Sequence, residues 1–190
     1  MSTPNPLSGS VISLATIKSN DFFVILSVAL AIKFSLSAEK LEIGNVIIYE
    51  NTVKHSDVVF KNINNEDINL IKFKNNLIIL NFWATWCLPC RHEIPYLDQL
   101  QVNKKLSNIK ILPINVGREG KEKPKIFFSE LNVENLEIFF DTSSNLANKF
   151  MLRGLPTTVF INKNGEEFAR IVGWYDFSNE KFINWLKEYN

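Results

Sequence analysis

Only two cysteines occur in the chain, and they stand three residues apart as Cys87-Leu88-Pro89-Cys90. With no other thiol to pair with, they are either redox-active or metal-binding rather than part of a structural disulfide framework. A closed zinc site needs four ligands. The chain has two histidines to add. His92 follows Cys90 by two residues and so points to another side of a helix, while His55 lies in a distant polar stretch. Haem attachment needs Cys-x-x-Cys-His, and here Arg91 follows Cys90. Thiol–disulfide exchange needs less: one thiolate to attack and a second thiol to resolve the mixed disulfide. No metal and no cofactor is expected beyond the Cys87–Cys90 pair itself.

The flanking elements suit that chemistry. Leu77 to Trp83 (LIILNFW) is a continuous apolar run with the length and residue types of a strand buried on both faces. After Cys87, Ile94, Leu97 and Leu100 recur with helical spacing. Cys87 therefore falls near a helix N-terminus, where unpaired amides and the positive dipole end favour an anion. Thiol pKa values fall from about 8.5 to roughly 3.5–7.5 in such settings. Cys90, one turn further in, is placed to attack a mixed disulfide formed at Cys87.

Phe82-Trp83-Ala84-Thr85-Trp86-Cys87-x-Pro89-Cys90, with Pro95 five residues on, resembles the active-site segment of the thioredoxin superfamily. Within it the segment is most similar to the bacterial, membrane-associated TlpA/ResA-like thiol:disulfide reductases, which carry a glutamate three residues after the second cysteine, matched here by Glu93. The resemblance implies a thioredoxin-like α/β fold with an N-terminal β-hairpin. It also implies an inserted strand–helix unit between the active-site helix and a cis-proline loop. Plain thioredoxin has a buried aspartate on the strand before the motif; the matching position is Asn81, which cannot ionise. Glu93 is then the expected proton acceptor for Cys90, with Cys87 and Cys90 as the catalytic pair. Arg153-Gly154-Leu155-Pro156-Thr157-Thr158 matches the family's second landmark. By that resemblance Pro156 is cis, and Leu155 and Pro156 contact the substrate. Trp86 either packs beside Cys87 and shapes the docking surface or fills the core. Sco-type copper chaperones share the fold but need a wider cysteine spacing and a distant histidine.

Residues 39–76 form a polar, Asn-rich approach, in which Val58-Val59-Phe60 and Ile68-Asn69-Leu70 flank a turn-prone stretch and read as a hairpin. Glu42 to Tyr49 adds a short strand. Residues 77–190 are the expected core. Ile109 to Val116 reads as a second buried strand, and the charges of Gly117 to Lys123 read as a solvated loop. Pro124 suits the first turn of a helix; Leu136 to Phe140 reads as a strand, and Leu146 to Phe150 as a short helix. Thr158 to Ile161 and Phe168 to Val172 form strands around the turn Asn162 to Glu166, with the second at the sheet edge. Gly173 suggests a close backbone approach, and Ser178 to Tyr189 a final helix.

Phe22 to Ile32 is an eleven-residue apolar run, short for a membrane span of about 20 residues. Residues 1–38 are expected to be a signal peptide, with Ser35 and Ser37 before the cleavage point, or a retained membrane anchor. Periplasmic placement follows, tethered to the inner membrane if the anchor is kept. A net charge of +1 gives no basis for nucleic-acid binding. The resemblance implies a reductant of protein disulfides in assembly of cytochrome c or a copper-containing respiratory oxidase, fed by a membrane thiol reductant. Its partners would be apocytochrome c or copper-oxidase assembly proteins. An oxidase that introduces disulfides and a non-catalytic holder of apoproteins are the alternatives.

Overall fold

A computed structural model describes residues 44–190. The proposed signal or anchor at 1–38 lies outside the described residues. The described chain runs β1 (Val46–Lys54), β2 (Val59–Lys61), β3 (Asp67–Asn69), a 3-10 turn (Leu70–Phe73), β4 (Leu77–Trp83) and α1 (Leu88–Gln101). It continues with β5 (Ile109–Asn115), α2 (Glu122–Glu130), β6 (Phe139–Phe140), α3 (Asn145–Lys149), β7 (Thr157–Ile161), β8 (Glu166–Val172) and α4 (Glu180–Lys187). The strands form one mixed sheet in the order β1-β8-β7-β4-β5-β6-β2-β3. β4 runs parallel to β5 and antiparallel to β7, so it sits in the middle with neighbours on both sides.

All seven residues of β4 are buried. Because strand side chains alternate, Leu77, Ile79 and Trp83 enter one core layer with Ile94 and Leu97 of α1 and Phe182 of α4. Ile78, Leu80 and Phe82 enter the other, with Phe139, Phe150 and Val159. The apolar run expected to be buried on both faces is so. Alternation puts Asn81 on the face that α1 covers, which makes it a polar side chain inside an apolar layer.

The hairpin of β2 and β3 forms with Phe60 opposite Ile68. β1 is at the other edge of the sheet, paired antiparallel with β8. β8 is therefore not the edge strand that its pattern suggested. β1 covers it, and a buried polar cluster ties the two together: Glu167, 1% exposed, accepts a hydrogen bond from Tyr49 at 2.8 Å and lies 2.6 Å from His55 Nε2, while Arg170 Nε donates to it at 2.9 Å. Burial pushes the Glu167 pKa up, but the bonds from His55 and Tyr49 and the Arg170 charge outweigh it and hold the carboxyl below its usual range.

Other differences have local causes. The strand expected over Leu136 to Phe140 shortens to Phe139–Phe140. The chain just before it is instead tied to α1, since the backbone and side-chain amides of Asn135 both donate to Asp98. Pro124, by contrast, sits where it was expected, in the first turn of α2, which starts at Glu122. Gly173 adopts φ +92°, and a side chain there would meet nothing within 4 Å. The residue serves a left-handed backbone turn rather than a close approach. Among the described residues, no helix is long and apolar enough to cross a membrane.

Removing Glu167 leaves His55, Tyr49 and Arg170 facing an empty position. We expect Glu167→Ala to lose about 3 kcal/mol in urea unfolding at pH 7. Since the folded-state pKa is depressed, the wild-type advantage is fully present above the unfolded carboxylate pKa and is lost as pH falls from there through the lower folded-state pKa.

Candidate active site

β4 ends at Trp83, and four residues carry the chain to α1. Cys87 is the N-cap of that helix, in extended conformation, and its Sγ accepts from Cys90 N–H at 3.3 Å. Cys87 and Cys90 form a disulfide with Cα atoms 5.3 Å apart. Cys87 retains 5% exposure and Cys90 none. The first sulfur thus borders solvent only narrowly in this state, and the second is sealed. Pro95 lies inside α1, where it cannot donate to the carbonyl of Arg91.

Beneath the disulfide, one turn past Cys90, Glu93 is completely buried. Asn81 Nδ2 donates to its Oε1 at 2.7 Å, and the Tyr175 backbone amide to its Oε2 at 3.3 Å. The same Nδ2 donates to Thr158 Oγ1 at 3.0 Å. Burial pushes the Glu93 pKa up to about 8, and the two hydrogen bonds only partly offset this. A carboxyl tuned close to thiol values lies next along the helix from the resolving cysteine.

The Leu155–Pro156 peptide is cis, as the resemblance implied. Pro156 is buried, its carbonyl accepts from Gly173 N–H at 2.8 Å, and Leu155 packs on the core layer that contains both cysteines. Trp86 is 69% exposed and is no part of the core. Leu88 is also exposed, and with Pro89, His92, Tyr96 and Trp174 it lines an open cleft of about 380 Å³ beside the cysteines.

Sequence reasoning missed two contributors. Trp174, half-exposed, follows β8 with no motif to mark it. Glu119 sits in the loop whose charges read as solvated, yet it clasps the segment leading to Cys87. Thr85 N–H donates to its Oε1 at 2.8 Å, the Thr85 hydroxyl donates to its Oε2, and Asn115 Nδ2 donates at 3.2 Å. Burial opposes its charge, but these bonds and the Lys123 charge hold the carboxyl below its usual range. A side chain at Gly117 would collide with the Glu119 carboxylate, which explains the glycine. Thr85 and Glu119 are 34 residues apart, beyond any local pattern.

The sequence profile of the AhpC/TSA family matches residues 52–166. The chain belongs to this family. The thiol-disulfide oxidoreductase ResA of Geobacillus kaustophilus is 33% identical over 117 residues, which is 62% of this chain and 66% of that protein. The aligned region thus falls just short of two thirds of that relative. Among solved structures, a putative thiol:disulfide interchange protein DsbE from Chlorobium tepidum superposes with a TM-score of 0.62 at 22% identity, covering 73% of this chain and 95% of that one. The pneumococcal exposed lipoprotein thioredoxin from Streptococcus pneumoniae gives 0.60 at 23% identity, over 70% and 99%. These likenesses establish the thioredoxin-like α/β fold.

A carboxyl whose folded-state pKa is raised binds a proton that the unfolded chain has already lost. Between about 4.5 and 8, wild-type stability should therefore fall as pH rises, by up to roughly 1.4 kcal/mol per pH unit, and level off above that. Glu93→Gln, of the same shape and uncharged, should lack this slope. Urea unfolding from pH 5 to 9 tests it, and parallel curves would show that Glu93 does not titrate in that window.

Proposed function

We propose that the protein is a thiol:disulfide oxidoreductase working as a reductant of protein disulfides outside the cytoplasm. The observation that carries the reading is the disulfide at the start of α1 with a buried, proton-binding carboxyl one turn below it. In the reduced protein the Cys87 thiolate attacks one sulfur of a substrate disulfide, forming a mixed disulfide and releasing one substrate thiolate. Glu93, in its carboxylate form, takes the proton from Cys90. The Cys90 thiolate then attacks Cys87 Sγ, which frees the second substrate thiolate and leaves the Cys87–Cys90 disulfide. Two electrons pass to the substrate, and an upstream thiol reductant at the membrane must return them.

Trp86, Leu155 and Pro156 are the proposed docking residues for an extended substrate segment around its disulfide, and Glu119 keeps the loop before Cys87 in place. The name of the Geobacillus relative supports the reaction type, and the exposed, lipid-linked pneumococcal neighbour supports an extracytoplasmic site. Oxidised apocytochrome c, or a copper-oxidase assembly protein, is the proposed substrate.

The test is a trapping experiment with an oxidised Cys-x-x-Cys-His peptide of the apocytochrome type. Cys90→Ser should accumulate a covalent adduct through Cys87, while Cys87→Ser should accumulate none. Equal trapping by both variants, or none by Cys90→Ser, would overturn the assignment.

A further inference from the structure

The two hydrogen-bond donors on Glu93 differ in kind. Tyr175 offers a backbone amide, which is fixed. Asn81 offers a side-chain amide, which carries donors at one end and an acceptor at the other. Here both Nδ2 hydrogens are used, one on Glu93 Oε1 and one on Thr158 Oγ1. Oδ1 has no partner among the described residues, although Asn81 is fully buried. An unpaired buried acceptor costs about 1–3 kcal/mol, so the arrangement needs a reason.

It suits a carboxylate and fails a carboxylic acid. A proton on Oε1 would meet Nδ2, another donor. Half a turn of the amide about χ2 presents Oδ1 instead. The Glu93 hydroxyl can then donate to Oδ1, and so can the Thr158 hydroxyl, because a threonine oxygen both accepts and donates. Each contact survives, and the unpaired atom passes from Oδ1 to Nδ2. Neither proton state is penalised alone.

We infer that Asn81, backed by Thr158, is a positioning residue that reverses its amide as Glu93 gains or loses a proton, and so keeps the carboxyl paired in both states. This rests on the proton-accepting role proposed above for Glu93. Cys90 shares the α1 turn with Glu93, Asn81 faces it from β4, and Tyr175 from the segment after β8. The Tyr175 phenol, pushed up to about 12 by burial and then by Asp176, does not titrate near neutrality. No salt bridge reaches Glu93 among the described residues. Proton uptake is thus governed by burial and by these amides. A protein lacking the swivel would strand either the acid or the carboxylate, slowing the proton transfer that Cys90 requires.

The test follows the labelled, oxidised full-length protein by NMR from pH 5 to 10. Above the Glu93 carboxyl midpoint, the Asn81 side-chain NH2 should show a strong cross-relaxation contact to Thr158. Below the midpoint that contact should be lost, and in Glu93→Gln it should not depend on pH. Asn81→Asp places two carboxyls within hydrogen-bond reach, and they should titrate in two steps at least about 2 pH units apart. An NH2–Thr158 contact that persists unchanged through the midpoint overturns the inference, whatever the variant does. Superimposable pH–rate profiles for wild type and Glu93→Gln overturn instead the role of Glu93 on which it rests. The two failures are therefore told apart.

Discussion

Strand β4 has no exposed face, and most of the molecule follows from that. A strand covered on both sides must be apolar or internally paired at every position. Six of its residues meet this by packing, with only the Trp83 indole nitrogen left unpaired among the described residues, and Asn81 meets it in part, its Nδ2 paired with Glu93 and Thr158. The same burial fixes where the chain can surface again, which is the end of the strand. There Thr85 and Trp86 lead into a helix whose N-cap is Cys87. The polar pair inside and the sulfur pair at the rim are thus two consequences of one constraint.

The site is layered accordingly. A sealed layer holds Cys90 and Glu93, where low polarity raises the carboxyl toward thiol values. Above it, Cys87 reaches solvent through a small opening, framed by exposed Trp86 and Leu88 and the cleft that Trp174 closes on one side. Glu119 braces the loop between the layers from the far end of β5. Exchange chemistry gains from this division: the attacking sulfur must meet a partner protein, whereas the resolving sulfur must be kept from one.

Much of this was legible in the sequence because it is written locally. The apolar run of β4, the Cys-x-x-Cys before an amphipathic helix, the hairpin about Asn62 to Asp67 and the turn about Gly165 depend on residues a few positions apart. Their resemblance to a known family supplied the cis peptide at Pro156, which no periodicity could. What stayed hidden depends on distant pairing. β1 covers β8 through Tyr49 and His55 meeting Glu167, more than a hundred residues away. Glu119 looks like any loop charge until Thr85 is beside it. Gly173 showed a different limit. A glycine signals that a side chain is unwanted, but not whether space or backbone angle is the reason, and here it is the angle.

The proposed reaction requires the Cys87–Cys90 pair to be a working redox couple and not a structural crosslink. Its most direct test is the reduction potential, read from the fraction of alkylated thiols after equilibration in glutathione buffers. A working couple should give a value in the range of about −270 to −120 mV spanned by exchange-active dithiols of this kind. A value below about −300 mV, where disulfides resist the glutathione pool, would contradict it.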